Sequence, residues 1–296
     1  MPFDLAVHIV TSTIINTQEG HYPKFGFPRI ENTKRNKSND MSRPNTSLED
    51  DTASRQAKFE ALCKELAEKE LELATLENEL AFFEHTYARR VGNLYAELDR
   101  LEAEIAHELY RLHPDPEHQA GYEAAEWKAR VNQQAVDEKL TGEEQKPPSP
   151  SEELRNLFRK VAKIIHPDLA TDEEERAFRT RLMARANAAY KRNDEAALEQ
   201  ILEEWENRGK QAAPETTPQI HGDPLDRQIS QVQARIREIE AQIEALRTSE
   251  LYQLMRQVEQ AKEQGRDLLG EMAADIQTKI DGARELLQSL QQRKRS

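Results

Sequence analysis

From Phe59 to Leu112 the apolar residues recur at steps of mostly three and four: Phe59, Leu62, Leu66, Leu73, Leu76, Leu80, Phe83, Tyr87, Val91, Leu94, Leu98, Leu101, Ile105, Leu109 and Leu112. The positions between them are mainly Glu, Lys and Arg. This is a heptad pattern, broken once at Lys69 and stretched by double steps of four at Tyr87–Val91 and at Ile105–Leu109. It predicts a coiled coil over residues 54–112. At 1.5 Å per residue such a rod would be roughly 80–90 Å long. An apolar stripe of this kind is stable only against a partner helix.

A second heptad run starts after the helix-start signal "HGDP" (His221 to Pro224), at Leu225, Ile229, Val232, Ile236, Ile239, Ile243 and Leu246. Beyond "TSE" the stripe continues less regularly to Leu290, weakened by Gly265, Gly270 and Gly282. Residues 225–292 therefore read as a second coil. The two coils could fold onto each other or self-associate with a second chain, and the pattern leaves both open. Polar, proline-containing stretches mark residues 113–150 as a linker with a short helix and residues 208–224 as a second linker. Residues 1–53 carry no sustained period and are expected to be disordered, with Met41 a candidate translational start. The predicted class is all-α: two long coiled-coil segments flanking one small helical module at residues 151–207.

Composition sharpens this picture. A third of the 296 residues are charged, only 37% are hydrophobic, and the formal charge is −13. Such a mix suits solvated helices better than one large globular core. The negative charge argues against a general binder of nucleic acid or of anionic membranes, which needs clustered cations. The one cysteine, Cys63, excludes an internal disulfide and fits a reducing compartment. No apolar run approaches the roughly 20 residues that span a bilayer. The N-terminal stretch lacks a basic region and is interrupted by Asp4 and His8, so a cytoplasmic location is expected. No glycine-rich phosphate loop, catalytic triad or metal-ligand spacing is visible, so neither an enzyme nor a cofactor is expected.

The module at residues 151–207 has explicit helix signals. "SPSE" reads as a capping box with Ser149 at the N-cap, Pro150 at N1 and Glu152 at N3. Leu154, Leu157, Phe158, Val161, Ala162 and Ile165 then form one apolar face. Arg155, Arg159, Lys160 and Lys163 fall opposite, with no acidic residue between Leu154 and Lys163, a local reversal of the chain's sign. Pro167 ends this helix. "TDEE" opens the next, with Thr171 reaching Glu174, and its stripe is Phe178, Leu182, Met183, Ala186, Ala189 and Tyr190. An antiparallel hairpin follows, with His166, Pro167 and Asp168 exposed at its tip. "EAALEQILEEW" forms a third helix burying Leu198, Ile201, Leu202 and Trp205.

"LRNLFRKVAKIIHPD" followed by "MARANAAY" resembles helix II, the His-Pro-Asp loop and helix III of a J-domain, the DnaJ-type co-chaperone module. Met183, Asn187, Ala189 and Tyr190 match the spacing of that family's F…N-x-A-Y run, with Met in place of Phe. The likeness covers about residues 151–190, and "EEQKPPSP" stands where the family has its first helix. It implies a partner, a DnaK-class heat-shock chaperone whose ATP hydrolysis is stimulated. Arg155, Arg159, Lys160 and Lys163 would dock on an acidic surface of that ATPase, and His166, Pro167 and Asp168 would press on its interdomain region. Self-association or client targeting would fall to the coils.

His-Pro-Asp occurs a second time, at His113, Pro114 and Asp115, behind an acidic helix with Arg111 the one nearby cation. There it reads as a helix stop. The rival to the co-chaperone reading is a coiled-coil scaffold whose J-like hairpin is vestigial.

Overall fold

A computed structural model describes residues 46–141, 150–170, 172–211 and 224–293. Among these the structure is helical without any strand, which gives the all-α class. The helices are α1 (Thr46–Tyr87), α2 (Asn93–Leu112), α3 (Pro116–Leu140), α4 (Glu152–Ile165), α5 (Glu173–Lys191), α6 (Glu195–Gln211), α7 (Pro224–Thr248), α8 (Glu250–Glu263) and α9 (Leu268–Arg293). The described residues divide into two compact units, residues 46–72 with 150–241 and residues 73–141 with 242–293.

In the first unit α1 lies beside α7. Arg55 pairs with Asp226 at 3.5 Å and Lys69 with Glu240 at 3.6 Å, the same two-heptad step on each helix, so the two run parallel. Leu66 on α1 and Ile229, Val232, Ile236 and Ile239 on α7 are buried. The stripes are thus covered by the chain itself, a pairing that the heptads alone left open.

The other members of this unit, α4, α5 and α6, form a three-helix module. α4 buries Leu154, Phe158, Val161, Ala162 and Ile165, each at most 1% exposed. The Phe158 ring meets Tyr190 of α5 at 4.8 Å. The N-cap of α4 is Ser151 rather than Ser149: its hydroxyl accepts from the Leu154 N–H at 2.9 Å and donates to Glu195 of α6 at 2.7 Å. α5 is capped by Asp172, which accepts from the Glu175 N–H at 2.7 Å. Ser149 and Thr171, the expected caps, lie outside the described residues. Asn193 turns the chain from α5 into α6 with φ +53°, a left-handed conformation that asparagine tolerates.

The second unit corrects two expectations. Residues 116–140 are not a linker with a short helix but the long helix α3, antiparallel to α2. Lys139 pairs with Glu84, Lys128 with Asp99, and the His107 ring with Tyr122, so positions ascend on one side as they descend on the other. The reason is polar as much as apolar: Asp99, 4% exposed, accepts from Asn132 at 2.6 Å and pairs with Lys128 at 2.7 Å. Nor are residues 225–292 one coil. α7 ends at Thr248, Ser249 caps α8, and Gly265 at φ +76° closes α8. α9 then packs on α2, with Arg284 bonded to Glu97.

Between α1 and α2, Ala88–Gly92 forms a single π turn. The double step of four at Tyr87–Val91 lies on it: the wider turn absorbs the extra residue and returns the stripe to the core, with Tyr87 and Val91 both buried. The helix containing the first heptads begins at Thr46, before the expected boundary at 54. The remainder of the region expected to be disordered lies outside the described residues.

Candidate functional site: the second His-Pro-Asp turn

α4 ends where Pro167 removes its amide and constrains its predecessor, and Pro167–Leu169 close as one 3-10 turn. His166, at the junction, has φ −57° and ψ 133°, outside the helical range. It is 2% exposed. This overturns the expected exposure of the tripeptide: Pro167 and Asp168 are half-buried, and His166 is interior.

Two hydrogen bonds fix the imidazole. Its Nδ1 accepts from the Asp168 N–H at 3.2 Å, and its Nε2 lies 2.9 Å from Glu70 Oε1. An Nδ1 that accepts has no proton to give, so the bonding assigns the Nε2–H tautomer donating to Glu70. The Asp168 carboxylate lies 3.8 Å from Nδ1, and its side chain is 32% exposed.

Glu70 comes from α1 and is 5% exposed. Besides His166 it accepts from Arg235 of α7 at 3.1 Å. Burial pushes its carboxyl upward, but the bond from His166 and the charge of Arg235 outweigh that and hold it below the ordinary glutamate range. Arg235 is likewise pulled down by burial and raised more by Glu70, then Asp168 and Glu238. The skip in the heptads at Lys69 thus has a structural content. Beside that break α1 turns the Glu70 carboxylate inward, and the tripeptide's histidine meets it.

The basic face of α4 is divided. Arg159, 29% exposed, lies 3.0 Å from Glu68 of α1 and 3.6 Å from Glu152. Arg155 is half-buried, while Lys160 and Lys163 are exposed. One of the four expected docking cations is thus met by the chain's own acidic helix.

Behind the turn stands Arg179 of α5, which the sequence pattern did not single out. It is 7% exposed, donates to the carbonyls of Ile164 and His166 at 2.7 and 3.3 Å, grips Glu175 at 2.8–2.9 Å, and lies over the Trp205 ring at 4.4 Å. It satisfies carbonyls that a helix C-terminus leaves without partners. The signal was a cation inside an apolar stripe, one turn before Leu182 and Met183.

The first tripeptide is differently held. His113 ends α2, and Asp115 is the N-cap of α3, accepting from the His118 N–H at 2.9 Å. That bond and the His118 ring hold the Asp115 carboxyl below its usual value. Both copies lie between two helices; only the second follows a basic helix and buries its histidine.

Comparison of the chain with models of known families, with curated proteins and with solved structures finds no match. Among the described residues no helix is long and apolar enough to cross a membrane.

Proposed function

We propose that residues 151–207 act as a J-domain-like docking module for a cytoplasmic DnaK-class chaperone, whose ATP hydrolysis they stimulate. The observation that carries this reading is the turn after α4. A proline-fixed loop follows a basic helix and leaves the Asp168 carboxylate partly exposed. Lys160 and Lys163, exposed on that helix, would steer an acidic partner surface, setting encounter rate and orientation more than affinity. Asp168 would pair with a partner arginine, a charge-assisted bond that asparagine matches in shape but not in charge. The hydrolytic chemistry belongs to the partner. The coils would carry the module to a client or assembly.

A scaffold with a vestigial hairpin is the second reading, favoured by the interior position of His166. Single-turnover ATPase assays with the cognate chaperone separate the two. Stimulation should be lost on Asp168→Asn and kept on Asp115→Asn, whereas equal behaviour of the two variants supports the scaffold.

A further inference from the structure

Resting on the docking proposal, we infer that the paired α1–α7 arms hold the module in a closed state, with Glu70 and Glu68 occupying groups that a chaperone would engage and Arg235 holding Glu70 in place. The chemistry on α1 is that of an acidic docking partner. Glu68 meets Arg159 and Glu70 meets His166, while Leu66 and Ala67 just before them are buried. From α7, Arg235 reaches Glu70 at 3.1 Å and holds that carboxylate against the imidazole. A carboxylate for the basic helix and the imidazole is the charge required of a partner.

Closure and docking therefore compete. A binding-competent fraction below one weakens apparent affinity by that fraction, and loosening the closed state restores it. The arms belong to the chain itself, so whatever draws α1 or α7 away would switch the module on. In this mechanism the coils are both address and brake.

The test is the chaperone's single-turnover hydrolysis rate, measured against increasing concentrations of the full chain. Glu70→Gln keeps the shape and removes the charge. It should lower the half-saturating concentration on the order of tenfold, and Asp168→Asn added to it should abolish the gain. A parallel reading is carbethoxylation of His166 by diethylpyrocarbonate, slow in the wild type and faster in Glu70→Gln. Equal, robust stimulation by wild type and Glu70→Gln overturns the closed state while leaving the docking reading intact. No stimulation by either, with both folded by circular dichroism, overturns the docking reading and the closed state with it. Should Glu70→Gln fail to fold, Glu68→Gln at the partly exposed Arg159 pair takes its place: a gain supports the brake, and an unchanged titration rejects it.

Discussion

Glu70 joins three elements through two oxygen-centred bonds, so its charge should be measurable in stability. Glu70→Gln should cost about 1.5–3 kcal/mol near neutral pH, the range for a hydrogen bond to a charged group. The pH dependence has a definite sign. A carboxyl held lower in the folded chain contributes fully above the ordinary glutamate value of 4.5, and that contribution disappears as pH falls through the lower folded value. Urea titrations of both proteins from pH 7 to pH 3 should therefore converge at the acid end. A constant gap would mean that charge is not what Glu70 supplies. At this scale the tripeptide was legible, because proline and its neighbours carry their own backbone rules. The partner of His166 was not, since it lies 96 positions away and its trace was a single missing heptad residue.

Among elements, the joint of α1, α2 and α3 turns on Gly92. A Cβ there would stand 3.3 Å from Val136 Cγ2, so α3 approaches as closely as it does because the side chain is absent. Gly92→Val should lower the midpoint of thermal unfolding despite the poor helix propensity of glycine. Val136→Ala in the same chain should return part of the loss; strict additivity of the two would remove this contact from the account. The double step at Tyr87–Val91 was visible as a flaw in the heptads, and the π turn is its resolution. The helix of residues 116–140 escaped the pattern because half of its apolar residues are alanines and much of its contact to α2 is made by Asn132, Lys128 and Asp99. Periodicity reports burial of hydrocarbon; it does not report a buried polar knot.

For the whole molecule, the pairing of coils within one chain leads to a simple expectation. Ile229, Val232, Ile236, Ile239, Ile276 and Ile280 are already buried by intrachain contacts, so the full chain should scatter light as a single copy across micromolar concentrations. A mass of two copies would require these seams to open and re-form between chains. The sequence by itself determined the all-α class, the two heptad runs, the basic helix ended by proline and the reversal of charge at α4, because each follows from local propensity and period. Only the tertiary structure decided which arm lies on which, that α1 and α7 run parallel, and that an acidic helix covers the histidine of the turn. Those are choices among partners far apart in the chain, set by which stripe and which charge meet in three dimensions, and no local pattern encodes a meeting.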